Sequence, residues 1–174
     1  FEGEEFAVRV RTDDATISFE DLLQGRYSQR LESESGDFII LRRDGLIAYQ
    51  LAVVVDDYLQ DITEVVRGVD LLESTPRQIW LKRLLGYSTP AYMHIPVAVN
   101  AAGQKLSKTT GAAAIPLEKP QITLVAALKA LQQDVPPGLA QCSLSELWDW
   151  ARASWRRAPL RGQTAVEPAN FAMA

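Results

Sequence analysis

A strand–helix–strand pattern in the middle of the chain constrains the fold more than any other feature of the sequence. Residues 62–68 and 92–99 are rich in β-branched and aromatic side chains, which is typical of strands. Between them, Thr75 and Pro76 predict the N-cap and the first position of a helix, and Gly86 predicts the residue that ends it. A strand, a helix and a second strand in this order favour an α/β fold, in which helices cover a sheet.

The N-terminal part of the sequence predicts short strands. Residues 6–11 and 16–19 alternate between apolar and polar side chains on either side of a turn-like stretch, so they predict two strands that could pair as a hairpin. Residues 20–36 are polar and show no period, and we expect a surface excursion there. Residues 38–43 predict a further strand that ends at an Asp-Gly turn.

The other segments combine helical signals with one ambiguous run. Residues 46–59 are apolar with polar insertions, and their periodicity does not decide between a helix and a buried strand. Residues 122–132 predict an apolar helix, and a Ser-x-x-Glu pattern that begins at Ser143 predicts the capping box of a final helix. Pro96 predicts a break or an edge in the last strand pattern, and the sequence from Gly162 onward predicts a loose tail.

Composition and charge exclude several classes of protein. The 174 residues are 47% apolar and 23% charged, which is average for a globular chain and excludes a wholly disordered one. The net charge of −4 is unlike the strongly basic balance of proteins held on nucleic acid by charge alone, although it does not exclude a local RNA groove. The lone Cys142 cannot form an internal disulfide or a cysteine-rich zinc site, which favours a reducing, cytoplasmic compartment.

The most specific local motif is the tetrapeptide Lys105-Leu106-Ser107-Lys108, which follows a loop that contains Gly103. Two ammonium groups and a hydroxyl on such a loop suit the phosphates of a nucleotide, because they supply point charges and hydrogen-bond donors. Taken alone, the tetrapeptide more often belongs to an ordinary surface loop.

Other candidates each have a functional and a purely structural interpretation. Arg67, at the end of a strand pattern, could clamp a carboxylate, although an ion pair with a nearby acidic residue explains it without function. Tyr49 fits a binding pocket or a half-buried packing position. His94 is the only histidine, so a hydrogen-bonded core residue is favoured over a metal ligand. Asp56 and Asp57 favour helix capping or solvation over metal binding.

Five segments occur in an order and at spacings that resemble the back half of the catalytic core of glutamyl-tRNA synthetases, which are class I enzymes. The last segment resembles their KMSKS loop, and the resemblance covers at least residues 36–115. The five segments are residues 44–57, 64–70, 74–78, 94–96 and 105–108.

The resemblance assigns roles to particular residues. It places Tyr49 and Arg67 in the glutamate pocket, where a hydroxyl and a guanidinium can hold a carboxylate and discriminate against neutral glutamine. It places Asp70 against the ribose of the nucleotide.

In the KMSKS-like loop the resemblance implies that Lys108 binds the ATP phosphates and that Lys105 assists it as a second catalytic lysine. Ser107 and Leu106 complete the ATP-binding loop.

Within the family, the chain looks most like a short paralogue that lacks the anticodon-binding domain, because the sequence ends soon after Lys108. This likeness implies a ligase that uses ATP, with Mg²⁺, to attach L-glutamate to queuosine in the anticodon of tRNA(Asp). The family's zinc-binding cysteines are expected upstream, and this chain offers no metal ligands. We expect a monomeric, cytoplasmic enzyme without a membrane partner. The alternatives are a fragment of an ordinary glutamyl-tRNA synthetase and a non-catalytic tRNA-binding module.

The resemblance implies the second half of a class I Rossmann-like catalytic core, an α/β fold with a β-rich N-terminal insertion and C-terminal helices. We expect residues 1–40 to form a β-rich connective segment, residues 41–115 the half-core with its KMSKS-like loop, and residues 116–174 a helical appendage. The HIGH motif, which contacts ATP in class I enzymes, is absent, and the sequence starts with Phe1. We therefore expect a piece of a longer protein that does not form adenylate alone.

Overall fold

The computed structural model describes residues 6–107, 111–112, 114–115 and 117–167. The chain divides between His94 and Ile95 into two units, Phe1–His94 and Ile95–Ala174. The expected three-part division at residues 40 and 115 does not coincide with this boundary and stays a prediction. Within the described ranges, none of the helices has the length and apolar character needed to cross a bilayer.

The described residues of the first unit form six strands and three α-helices, and helices and strands alternate after the third strand. A 3₁₀ helix, Val69–Ser74, precedes the third α-helix. The elements in chain order are β1 (Val8–Val10), β2 (Thr16–Asp21), β3 (Gly25–Arg30), α1 (Leu31–Glu34), β4 (Phe38–Leu41), α2 (Tyr49–Leu59), β5 (Glu64–Gly68), α3 (Thr75–Leu85) and β6 (Ala91–Ile95).

A four-stranded sheet in the order β3-β2-β6-β5 organises this unit, and β1 pairs separately with β4. Strands β2 and β3 are antiparallel, whereas β2 and β6 are parallel, with Asp21 opposite Tyr92. The predicted hairpin of the first two strands is therefore wrong, because β1 pairs with β4. The surface excursion predicted for residues 20–36 is also wrong. Strand β3 lies at the sheet edge and exposes most of its side chains, so its sequence shows no apolar period.

Helix α3 joins the two apolar clusters of the first unit. Leu81 belongs to a cluster with Val54 of α2, and Ile79 belongs to a cluster with Tyr92 of β6. The helix ends as predicted, since Gly86 adopts a left-handed conformation with φ 71°. Most of the ambiguous run of residues 46–59 forms a helix, α2, rather than a strand, and Val54 of this helix is buried in the cluster with Leu81.

In the described part of the second unit, the strands and α-helices are β7 (Val97–Ala98), α4 (Pro120–Ala130), α5 (Leu144–Ser154) and β8 (Ala165–Val166). The predicted capping box of α5 is confirmed, because Ser143 and Glu146 exchange side-chain and backbone hydrogen bonds. The strand pattern around Pro96 breaks there into β6 and β7, as predicted. The prediction of a loose tail from Gly162 onward is wrong in part, because β8 pairs in parallel with β7.

Candidate functional site

A polar chain of three side chains crosses the sheet of the first unit through the neighbouring strands β2, β6 and β5. Oδ2 of Asp21, the last residue of β2, lies 2.6 Å from Nδ1 of His94 in β6. On the other edge of the imidazole, Nε2 of His94 accepts a hydrogen bond of 3.0 Å from Nε of Arg67 in β5. The side chains of Asp21 and His94 are fully buried.

Backbone amides hold the carboxylate of Asp21 in one orientation. Its Oδ1 accepts hydrogen bonds from the amides of Leu23, at 3.0 Å, and Gln24, at 2.9 Å. The amide of His94 approaches both carboxylate oxygens, at 3.2 and 3.1 Å. Burial alone would raise the pKa of Asp21, but the hydrogen bonds from these amides and from the imidazole outweigh it and lower that pKa. Asp21 is therefore an ionised, immobile acceptor.

The hydrogen bonds of His94 define its tautomer. Arginine has only donors, so Nε2 of His94 must accept from Arg67, and the ring proton lies on Nδ1, where it is donated to Asp21. Burial lowers the pKa of His94, and the hydrogen bond to Asp21 opposes that shift only in part. The imidazole is therefore neutral at neutral pH, as a hydrogen-bonded core histidine, which confirms the interpretation favoured from the sequence.

Arg67 is held by a second contact at the start of α3. Its Nη2 donates to Oγ1 of Thr75 at 2.8 Å, and Thr75 is fully buried. The same Nη2 lies 3.5 Å from the carbonyl oxygen of Leu71. These contacts, all with described residues, use Nε and Nη2 and not Nη1, so the guanidinium is fixed in place through two of its three nitrogens.

The electrostatics of Arg67 suit an anionic ligand. Within the described residues its hydrogen-bond acceptors are His94, Thr75 and Leu71, all of them neutral. The sequence left open a purely structural role for Arg67, in an ion pair with a nearby acidic residue. No carboxylate is among its hydrogen-bond acceptors in the described residues. A guanidinium whose partners are neutral keeps its full charge for a substrate carboxylate.

One face of helix α3 contacts both Arg67 and the start of α2, where Tyr49 lies. Tyr49 is the first residue of α2, and the residue is 52% exposed. Its neighbour Gln50 accepts a hydrogen bond of 2.9 Å from Nε2 of Gln78. Gln78 and Thr75 are three residues apart on α3, so they lie on the same face of this helix, one turn apart. The helix therefore fixes the α2 N-terminus and the arginine relative to each other.

The KMSKS-like segment begins in a tight hairpin of the second unit. Asn100 starts the turn, with its amide bonded to the carbonyl of Gln104 at 2.9 Å, and Lys105 pairs with Val99. Lys105 is exposed, while Leu106 and Ser107 are half-buried. Lys108 lies outside the described residues. In the first unit, Asp70 is exposed on the 3₁₀ helix that follows Arg67. The roles assigned to these residues stay predictions.

Comparison with known proteins decides the family. Residues 1–119 match the family model described as the catalytic domain of class I tRNA synthetases for E and Q. The chain belongs to this family. The mixed α/β fold class is confirmed as well, because a glutamate-tRNA synthetase from Elizabethkingia anophelis superposes with a TM-score of 0.68 at 20% identity, over 90% of this chain and 36% of that one.

Curated relatives narrow the similarity within the synthetase family. A protein of Dechloromonas aromatica named glutamyl-Q tRNA(Asp) synthetase is 54% identical over 149 residues, which cover 86% of this chain and 50% of the relative. One of the same name from Pseudomonas aeruginosa is 49% identical over 152 residues, 87% of this chain and 52% of the relative. The chain thus spans about half the length of the curated relatives it matches, and the likeness to a short paralogue is confirmed.

Asp21 and Thr75, which complete the network around Arg67, were not predicted as site residues from the sequence. Asp21 lies in the segment interpreted as a surface excursion, and no local pattern marks it. Thr75 was interpreted as an N-cap, but that position belongs to Ser74, and Thr75 is inside the helix. A signal for Thr75 existed. It shares one face of α3 with Gln78 and Lys82, which is the pattern of a buried polar stripe.

The role of Asp57, one of two adjacent aspartates whose roles the sequence left open, follows from its contact with Lys82. Nζ of Lys82 lies 3.8 Å from Oδ2 of Asp57, and the lysine side chain is almost fully buried. Burial lowers the pKa of Lys82, and the charge of Asp57 opposes that shift. Asp57 therefore pairs with a buried lysine rather than capping a helix.

The donor chemistry of the described residues does not fit a metal centre. No group of three or more His, Cys, Asp and Glu side chains in the described ranges is arranged to hold an ion. Cys142 is a single half-buried thiol that packs against the α4–α5 core.

Proposed function

We propose that this chain supplies the glutamate-binding half of an enzyme that activates L-glutamate with ATP and transfers it to queuosine in the anticodon of tRNA(Asp). The names of the curated relatives support this choice of substrates. The observation that carries the proposal is the arrangement of Arg67, whose guanidinium is fixed through Nε and Nη2 by neutral partners among the described residues. We assign Nη1 as the donor to the ligand. The proposed enzyme acts as a monomer in the cytoplasm.

In the proposed complex, Arg67 and Tyr49 hold the side-chain carboxylate of glutamate. The guanidinium donates charge-assisted hydrogen bonds, and the exposed phenol of Tyr49 adds one more donor. Glutamine would present a neutral amide whose NH₂ group faces donors, so it loses both the charge and the hydrogen-bond match. Anchoring the side chain leaves the α-carboxylate free to react.

The first proposed step forms glutamyl-adenylate. An oxygen of the α-carboxylate attacks the α-phosphorus of ATP, and pyrophosphate leaves. Lys105 and Lys108 stabilise the charge that develops on the phosphates, with Ser107 and the backbone at Leu106 completing the loop. When bound with ATP, Mg²⁺ would supply further neutralisation of the phosphate charge. Asp70 accepts a hydrogen bond from the ribose.

The second proposed step transfers the glutamyl group. A hydroxyl of the cyclopentenediol of queuosine attacks the carbonyl carbon of the adenylate and loses its proton. An ester bond forms, and AMP leaves with the electron pair of the broken mixed-anhydride bond. In this proposal Arg67 and Tyr49 keep the glutamyl side chain in place through both steps, so the reacting carbonyl stays oriented.

Transfer of labelled glutamate by the full-length protein encoded with this chain tests the proposal. The acceptors are tRNA(Asp) with queuosine, tRNA(Asp) with guanosine at the same position, and tRNA(Glu). Labelling confined to the queuosine-containing tRNA supports the proposal. Labelling of tRNA(Glu) would assign the protein to the ordinary glutamyl-tRNA synthetases, and binding of tRNA without any labelling would assign it to non-catalytic modules.

A further inference from the structure

The orientation of Arg67 depends on a lone pair at Nε2 of His94. Because a guanidinium has no acceptor, Nε of Arg67 can bond His94 only while Nε2 carries no proton. A neutral imidazole has one ring proton, and the hydrogen bond made by one nitrogen decides the state of the other. Oγ1 of Thr75 also lies 3.2 Å from Nε2. The group at Nδ1 of His94 therefore controls how the arginine is held.

Asp21 occupies that position and can only accept. Its Oδ2 is 2.6 Å from Nδ1, so the ring proton is held there. Asp21 cannot turn away, because Leu23 and Gln24 donate their amides to Oδ1. The strand pairing adds to this restraint, since the amide of Leu22 donates to the carbonyl of Tyr92 at 3.0 Å.

We propose that Asp21 is a positioning residue for glutamate recognition, which fixes the Nδ1–H tautomer of His94 and thereby orients Arg67 toward the substrate carboxylate. Asp21 itself touches no substrate in this scheme, and its effect is transmitted only through the imidazole. The inference deepens the proposed function and rests on it for the substrate, whereas the tautomer is a property of the chain alone.

The substitution Asp21→Asn exchanges donor and acceptor at both ring nitrogens of His94, with almost no change in the shape of residue 21. The amide oxygen keeps the hydrogen bonds from Leu23 and Gln24, which places the NH₂ group opposite Nδ1 of His94. Nδ1 then becomes the acceptor and the ring proton moves to Nε2, where it faces the Nε–H donor of Arg67. Asp14→Asn is the matched control, because Asp14 is an exposed aspartate of the same unit that bonds Arg30.

The tautomer can be measured without any activity, because His94 is the only histidine of the chain. In the chain labelled with ¹⁵N-histidine, NMR is expected to show an Nδ1–H imidazole for wild type and for Asp14→Asn, and an Nε2–H imidazole for Asp21→Asn. An Nε2–H or doubly protonated ring in the wild-type chain at neutral pH would overturn the inference, as would an unchanged tautomer in Asp21→Asn.

Steady-state kinetics of the full-length protein then test the consequence for substrate. For Asp21→Asn we expect the KM for glutamate to rise about tenfold or more, as for loss of a hydrogen bond to a charged group, with the KM for ATP unchanged. Asp14→Asn is expected to match wild type. An unchanged glutamate KM alongside a reversed tautomer would refute the positioning role. If the wild-type protein transfers no glutamate, the proposed function fails while the tautomer result still stands.

A second pair of variants covers the case in which Asp21→Asn does not fold. His94→Gln offers an amide oxygen near the position of Nε2, so Arg67 keeps an acceptor that does not depend on a tautomer. His94→Leu has a similar volume and offers none. We expect His94→Gln to bind glutamate much more tightly than His94→Leu, and equal glutamate KM values for the two would contradict the inference.

Discussion

The guanidinium of Arg67 lies over the ring of Tyr92, with Cζ 5.6 Å from the ring centroid. Tyr92 is fully buried and belongs to the apolar cluster under α3. A cation over an aromatic face is stabilised by about 0.5–2 kcal/mol, depending on its solvation. Arg67 is thus held at one edge by His94 and on one face by Tyr92, so the packing of the core sets the geometry of the candidate glutamate pocket.

Arg67→Lys is expected to impair glutamate binding although it keeps the positive charge. Lysine has neither the Nε donor that reaches His94 nor the planar fork that matches a carboxylate. We expect kcat/KM for glutamate to fall about 10- to 100-fold, with most of the loss in the KM for glutamate. Steady-state transfer assays on the full-length protein measure this. Arg83→Lys, an exposed change on α3, is the control, and equal losses in both variants would argue against a specific role for Arg67.

Tyr92→Phe is expected to leave stability unchanged or to raise it by up to about 1 kcal/mol. Within the described residues the hydroxyl of Tyr92 is buried without a hydrogen-bond partner. Burial raises the pKa of Tyr92 to about 12, and the charge of Arg67 opposes that shift. Phenylalanine keeps the ring under Arg67 and removes the unpaired hydroxyl. Urea unfolding of the chain measures the effect, with the exposed Tyr58→Phe as control. A loss of more than about 1 kcal/mol would mean that the hydroxyl has a partner.

Local signals in the sequence were sufficient for α3 and α5. Gly86 and the pair Ser143 and Glu146 act within a few residues of the helix ends, so their capping geometry can be read from the sequence. Thr75-Pro76 located the start of α3 to within one residue, although the N-cap is Ser74. The family could be inferred as well, because the order of five motifs is a property of the sequence itself.

Features that depend on distant partners could not be predicted in this way. Asp21 and His94 are 73 residues apart, and they meet only because β2 and β6 are neighbours in the sheet. Strand β3 was missed because an edge strand has too few buried side chains to produce an apolar period. Arg67 and Tyr49 were named as site residues from the sequence, and their roles stay predictions. The contacts that orient Arg67 could be found only in the structure.

The stability of the chain is expected to fall as pH drops below about 6.5, because of His94. Burial lowers the pKa of His94 in the folded state, with Asp21 on β2, Arg67 on β5 and Asp70 on the 3₁₀ helix as the charged groups that act on it. The unfolded chain thus takes up the proton at a higher pH than the folded chain. The contribution of His94 is full above pH 6.5 and is lost as pH falls toward the folded-state pKa.

Urea midpoints measured between pH 8 and pH 5 test this dependence on His94. His94→Gln removes the only imidazole of the chain, so its stability curve is expected to be flatter than that of wild type across this window. Equal slopes for the two proteins would show that other groups cause the dependence. At more acidic pH, Asp21 is expected to add a second loss of stability, because its folded-state pKa is lowered from 3.8.

Asp57→Asn is expected to destabilise the first unit far more than the same change at the adjacent Asp56. Asp57 is the partner of Lys82, whose ammonium group is buried, so removal of the carboxylate leaves a positive charge inside the protein without compensation. Asp56 is exposed and offers a control of identical chemistry one residue away. Breaking a fully buried pair costs about 3–5 kcal/mol. Because the Asp57 side chain is 19% exposed, we expect about 2 kcal/mol for Asp57→Asn and less than about 0.5 kcal/mol for Asp56→Asn.

Urea unfolding of both aspartate variants, with Lys82→Met as a third, separates the charge from the packing. Methionine fills a similar volume without charge, so Lys82→Met leaves only a partly solvated carboxylate at Asp57 and is expected to cost less than Asp57→Asn. Combining Asp57→Asn with Lys82→Met should then restore part of the stability that Asp57→Asn loses alone. Strictly additive losses in the double variant would show that the two side chains do not interact across their 3.8 Å separation.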